Sequence, residues 1–269
     1  MTTDSSAPIG VFDSGIGGLT VAKEIIRNLP GENMIYFGDT ARVPYGNKSK
    51  ATIVRYSKQI TDFLLKQNVK AIVIACNTAT ALAIEELEKN CPVPIIGVVD
   101  PGTRAAIAAT KNKRIGVIAT RSTIESGIYS RKLSKMDPEA EIFGKACPLF
   151  VPLAEEGMKD DIITEMVAQR YLKELIDINI DTLIMGCTHY PILRKLLMRV
   201  CGEGITLVNP AYETAISLKA MLEEKGMLNT SGEPAKYKFY ASDTIEKFTA
   251  SAEAILPVSV DDAEQYILA

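Results

Sequence analysis

Ala71-Ile72-Val73-Ile74-Ala75-Cys76 and Thr182-Leu183-Ile184-Met185-Gly186-Cys187 are two apolar runs of one make, each closing on a cysteine, and Cys187 lies 111 residues beyond Cys76. Unbroken apolar runs of this length read as strands covered on both faces, the usual state of a strand in a parallel sheet. Each cysteine is followed by a polar, helix-starting pair, Asn77-Thr78 in the first case and Thr188-His189 in the second. A second echo has nearly the same offset: Ile9-Gly10-Val11 returns 106 residues later as Ile115-Gly116-Val117. Two pairs in nearly one register point to a duplicated α/β lobe.

Working outward, the chain alternates such runs with stretches of helical period. Strands are expected at Ile9–Phe12, Met34–Phe37, Ala71–Ala75, Ile95–Val99, Arg114–Ile118, Ala140–Phe143, Thr182–Met185, Thr206–Val208 and Tyr237–Ala241. Helices are expected over Lys50–Lys66, where Ile53, Tyr56, Ile60, Phe63 and Leu64 share a face, over Ile162–Ile176, and over Asp243–Ala254. Strand–helix alternation implies right-handed βαβ units. The expected fold is α/β: two similar, doubly wound (flavodoxin-like) lobes with parallel sheets and an active site in the cleft between them. Residues 1–98 with 209–269 would form the first lobe and residues 99–208 the second. The Gly- and Pro-containing stretch 224–235 reads as a surface connection, with the tail after it packing back on the first lobe.

Composition narrows the function. At 269 residues with 47% hydrophobic and 23% charged side chains, the chain has enough apolar material for a sizeable core. A net charge of −3 with scattered lysines and arginines offers no basic stripe for nucleic acid and no polybasic run for a membrane surface. The start of the chain lacks the basic and apolar segments of a signal peptide, and no apolar run is long enough to span a bilayer. Five cysteines form an odd set, which reads as reduced thiols in the cytoplasm rather than a disulfide framework. His189 is the single histidine and no CxxC occurs, so no metal site is expected.

Ligands of open α/β sheets collect beyond the carboxyl ends of the strands. Four polar clusters sit there: Asp13-Ser14-Gly15, Cys76-Asn77-Thr78, Thr120–Thr123 and Cys187-Thr188-His189. The first is no dinucleotide loop, because its glycines are wrongly spaced and no acidic residue ends the second strand; Asp39 follows Gly38 in a loop instead. A thiol at a strand end, where a helix begins, has its thiolate favoured by the helix dipole. Two such thiols suggest a two-base proton transfer, one removing a proton from a stereocentre and the other supplying one to the opposite face. Asp13 and His189 are the available proton partners, and Ser14, Asn77, Thr78 and Thr188 can meet the negative charge that develops on a substrate carboxylate. Cys91, Cys147 and Cys201 lack this placement and read as structural. A rival hydrolase reading, built from Cys187 or Ser14 with His189 and Asp13, leaves the second cysteine unexplained and lacks a GxSxG elbow.

The segments Ile9–Val21 (IGVFDSGIGGLTV), Phe37–Ser49 (FGDTARVPYGNKS), Ala75–Thr80 (ACNTAT), Gly116–Thr123 (GVIATRST) and Gly186–Pro191 (GCTHYP) resemble, in order, the cofactor-independent aspartate/glutamate racemase family on its glutamate branch. The resemblance implies an isomerase that interconverts L- and D-glutamate without a cofactor, with Cys76 and Cys187 as the two proton carriers. It links the first cysteine with D-glutamate and the second with L-glutamate. It implies a pocket lined by Asp13, Ser14, Tyr45, Gly46, Asn77, Thr78, Thr188 and His189, further carboxylate contacts from Thr120 and Thr123, and help from Glu155 in proton traffic near Cys187. It also implies a cytoplasmic homodimer supplying D-glutamate for peptidoglycan biosynthesis, and so for cell wall biogenesis and cell shape. Some relatives carry an N-terminal extension tied to activation by a cell-wall precursor; with eight residues before Ile9, none of that dependence is expected.

Overall fold

The computed structural model describes residues 4–260 and 262–268. Two compact units emerge: one runs up to Val98 and resumes at Ala211, and the other spans Val99–Pro210. The first unit begins β1 (Ile9–Asp13), α1 (Leu19–Asn28), β2 (Met34–Gly38), α2 (Lys50–Lys66), β3 (Ala71–Ile74), α3 (Asn77–Glu88), β4 (Ile95–Gly97). The second holds α4 (Val99–Ala109), β5 (Arg114–Ala119), α5 (Arg121–Glu125), α6 (Ile128–Met136), β6 (Glu141–Ala146), α7 (Phe150–Glu155), α8 (Ile162–Asp177), β7 (Thr182–Gly186), α9 (Arg194–Cys201) and β8 (Thr206–Val208). The chain then returns through α10 (Pro210–Glu224) to β9 (Tyr237–Ala241), α11 (Ile245–Ile255) and β10 (Glu264–Gln265).

Both sheets are wholly parallel. Their strand orders are β10-β9-β2-β1-β3-β4 and β6-β5-β7-β8. With β9 and β10 set aside, β2-β1-β3-β4 and β6-β5-β7-β8 are the same winding, the order of flavodoxin-like sheets. The register agrees with the sequence echoes. Ile9 lies opposite Ala71 in one sheet, and Ile115 lies opposite Thr182 in the other. Cys76 and Cys187 therefore follow equivalent strands, β3 and β7.

Packing on the first sheet follows the period of two. Ile9, Val11, Ala71, Val73 and Ala75 belong to one core with α1 and α10, while Phe12, Ile72, Ile74 and Cys76 belong to a second with α2 and α3. Burial on both faces is what makes β1 and β3 read as unbroken apolar runs. In the second unit, Ile118, Leu183, Met185 and Cys187 share a core with α8 and α9.

Most boundaries shift by a residue or two from the sequence expectation, and three departures have a physical reason. The strand expected over Ile95–Val99 stops at Gly97, and a helix already begins at Val99. Pro101 sits in the first turn of that helix, where its missing N–H has no intrahelical partner to lose. β6 runs on to Ala146, because it is an edge strand and tolerates Lys145, whose ammonium pairs with Glu174 at 2.5 Å. The short β10 carries no apolar alternation and was not expected. Among the described residues, no helix is long and apolar enough to cross a membrane.

Candidate active site

In the first unit, Cys76 occupies the cap position of α3, with its carbonyl accepting the Thr80 N–H at 2.8 Å. Its thiol thus stands at the positive end of a 12-residue helix, which favours the thiolate. The Cys76 Sγ lies 3.6 Å from the Ser14 Oγ. Asn77 and Thr78 open the same helix and are buried.

Asp13 closes β1 and is fully buried. Its Oδ2 accepts the backbone N–H groups of Gly15 (3.1 Å) and Gly18 (2.8 Å), which folds the Ser14-Gly15 turn over the strand end. Beneath it, the Tyr36 hydroxyl donates to the Gly15 carbonyl at 2.8 Å. Burial first, then the nearby Asp13 and Cys76 charges, push the Tyr36 phenol well above its usual range, so it remains a neutral donor. Sequence reading missed Tyr36; its only signal was a polar tip on an apolar strand.

Gly18 is required for this arrangement. A Cβ there would stand 2.3 Å from the Asp13 Cβ and 2.8 Å from its Cγ. We expect Gly18→Ala to destabilise the chain by about 1–3 kcal/mol through overpacking and to displace the Asp13 carboxylate, lowering turnover. Urea denaturation and steady-state rates check it, and wild-type values in both would refute the close fit.

Tyr45 and Gly46 open a short 3-10 turn, Tyr45–Asn47, and both are buried. The Tyr45 hydroxyl donates to an Asp39 carboxylate oxygen. Burial and the Asp39 charge raise the phenol far above its usual range.

In the second unit, Cys187 follows β7, but its surroundings differ from those of Cys76. The matching strand–turn–helix context expected from sequence is only partly realised: the Tyr190 N–H bonds the Cys187 carbonyl at 3.1 Å, a 3-10 turn covers Tyr190–Leu193, and the α-helix starts only at Arg194. Helix-dipole stabilisation fades within a turn, so α9 does not reach Cys187 as α3 reaches Cys76. A side-chain chain stands there instead. The Cys187 Sγ is 3.8 Å from the His189 Nδ1, and the His189 Nε2 is 3.0 Å from the Glu155 Oε1 at the end of α7. The carboxylate orients the imidazole and stabilises its protonated form, which suits His189 to exchange a proton with the thiol. Thr188 is buried as well. Burial, and then the Cys187 charge, raise the Tyr129 phenol above its usual range.

Thr120 and Thr123 have a local task. Thr120 caps α5, accepting the Thr123 N–H at 3.4 Å, and the two hydroxyls lie 2.9 Å apart. The strand register makes Thr120 the counterpart of Ser14, one residue past the end of β5. The other thiols are held as acids: burial pushes Cys201 up to about 11 and raises Cys147 and Cys91. Among the described residues, no cluster of three His, Cys, Asp or Glu side chains has the arrangement of a metal site.

Two α/β units, each with a parallel sheet, thus each carry a thiol just past the equivalent strand, with polar groups around it. The model of the Asp/Glu/Hydantoin racemase family matches residues 9–215, and the chain belongs to that family of isomerases. It is 45% identical over 260 residues to the glutamate racemase of Geobacter metallireducens, covering 97% of this chain and 96% of that protein. A crystal structure of a glutamate racemase isoform from Bacillus anthracis superposes with a TM-score of 0.95 at 38% identity, covering 98% of both chains. That of the Francisella tularensis glutamate racemase in complex with D-glutamate gives 0.92 at 40% identity, again over 98% of each chain.

Proposed function

We propose that this chain is a glutamate racemase, interconverting L- and D-glutamate by proton transfer between the substrate Cα and two thiols, Cys76 and Cys187. The observation that carries the reading is the placement of those thiols after the equivalent strands β3 and β7 of two like-wound sheets. One thiolate takes the Cα proton, and its electron pair is held by delocalisation into the substrate carboxylate. The other thiol gives its proton to the opposite face, and the two sulfurs exchange protonation states. Following the resemblance, Cys76 acts as base on D-glutamate and Cys187 on L-glutamate.

The two thiols are supported differently. Cys76 has the α3 N-terminus and Ser14, whereas Cys187 has His189 backed by Glu155. Asp13, Ser14, Tyr45, Gly46, Asn77, Thr78, Thr120, Thr123, Thr188 and His189 are the proposed substrate contacts. The reaction needs neither metal nor organic cofactor in this scheme. Its product would feed peptidoglycan synthesis in the cytoplasm, and the working form would be a homodimer.

His189→Ala should lower turnover by about 100-fold, the scale of one general acid–base group, with a much smaller change in KM. Glu155→Gln should act in the same direction and more weakly, because it removes only the charge behind the imidazole. The equilibrium constant between enantiomers is unity, so kcat/KM must fall equally from either side. An unchanged kcat with a raised KM would assign His189 to substrate binding alone. The reading as a whole is tested by circular dichroism of L-glutamate with purified protein. The signal should decay to zero, and a signal that persists would overturn the assignment.

A further inference from the structure

Asp39 reads in the sequence as a loop acid, yet it is completely buried just past β2, and its carboxylate and backbone N–H together make five hydrogen bonds. Its N–H donates to the Asp13 carbonyl at 3.0 Å. Its Oδ2 accepts the Tyr45 hydroxyl and the Arg42 Nε (2.7 Å), and its Oδ1 accepts the same Nε (2.9 Å) and the Ser242 hydroxyl (2.9 Å). Arg42 neutralises the carboxylate and is itself fixed, donating to the Gln59 Oε1 at 2.6 Å with its guanidinium 4.0 Å above the Tyr56 ring. Ser242 follows β9, so the C-terminal segment takes part. The Ser242 Oγ accepts the Ala41 N–H at 2.9 Å, and the Thr40 hydroxyl donates to the Asp243 carbonyl at 2.7 Å.

The Tyr45 hydroxyl proton is thereby committed to Asp39, and its ring is 1% exposed. The side chain is an anchor, and what the Tyr45-Gly46 turn can offer a ligand is its backbone. We propose that Asp39 is a positioning residue that sets the Tyr45-Gly46 backbone for the substrate, and that Ser242, from the C-terminal segment, holds Asp39 in that pose. The proposal rests on the reading above that this turn contacts glutamate. A backbone contact to a substrate carboxylate persists from bound substrate to transition state, so disturbing it acts as a loss of uniform binding and moves KM more than kcat.

The test uses Ser242→Ala, Ser242→Thr and Asp39→Asn in the full-length chain, with KM and kcat measured from both enantiomers beside thermal melts. Asp39→Asn should raise KM by about tenfold, the equivalent of one good hydrogen bond, and Ser242→Ala by less, with kcat changed less than KM in each. Ser242→Thr, which keeps the hydroxyl, should restore KM. A lowered melting temperature with KM at the wild-type value would make the network purely structural and overturn the proposal. If Asp39→Asn does not fold, the Ser242 pair decides alone, on the same criterion. A wild-type chain that fails to racemise glutamate overturns the functional reading and this proposal together, whereas an active wild type with unshifted variants overturns only this one.

Discussion

Replacing either Cys76 or Cys187 by serine should lower racemisation of glutamate by about 100- to 10,000-fold, the range expected when a positioned acid–base group is lost. A hydroxyl matches the thiol closely in size, so the fold should survive and melts should stay near wild type. The chemistry does not survive, because a thiol has a pKa of about 8.5 and a serine hydroxyl is a far weaker acid, unable to supply a base at neutral pH. The two variants should also differ from one another. Each keeps one working thiol, so each should retain slow Cα exchange from the enantiomer facing that thiol, and the preference should be opposite in the two. Cys187→Ser racemising near the wild-type rate would remove the two-thiol scheme and leave Cys187 as a small buried side chain.

The largest stability effect should come from a site far from the chemistry. Lys70 and Glu32 form an ion pair at 2.5 Å with both side chains buried. Lys70 also donates to the carbonyls of Ser5 (2.5 Å) and Met227 (2.8 Å), and the Glu32 Oε1 accepts the Asn229 N–H at 2.8 Å. Together they tie the connection after α10 and the segment before β1 to the loops that lead into β2 and β3. Lys70→Ala should cost about 3–5 kcal/mol, because it strands a buried carboxylate. The double change Lys70→Met with Glu32→Gln should cost less than Lys70→Ala alone. Urea denaturation at neutral pH measures both, and a loss under about 1 kcal/mol for Lys70→Ala would contradict a buried pair of this kind.

Sequence patterning disclosed the strands whose two faces are both covered, since β3 and the body of β1 and β7 are unbroken apolar runs. It failed where that cause was absent. The second half of β6 lies on an edge and carries Lys145, and β10 is two polar residues held by pairing to β9. Cys76 and Cys187 were legible because a repeat compares a sequence with itself and needs no knowledge of the fold. Their unlike support was not, because Pro191 and the 3-10 turn after Cys187 look from the sequence like any helix start. Glu155 reaches His189 across 34 residues, a distance that no local pattern encodes. Asp39 illustrates the same limit: its carboxylate draws on Arg42 and Tyr45 nearby but also on Ser242, 203 residues away.

The central claim is that two thiols serve opposite faces of one stereocentre. Racemisation of L-glutamate by the wild-type chain in deuterated water, sampled in the first few per cent of conversion, tests it most directly. With one thiol removing the proton and the other delivering a solvent-derived one, D-glutamate should carry deuterium at Cα from the start, while the remaining L-glutamate stays unlabelled. Deuterium appearing equally in both enantiomers at the earliest times would mean that a single shared base handles both faces, and would contradict the account.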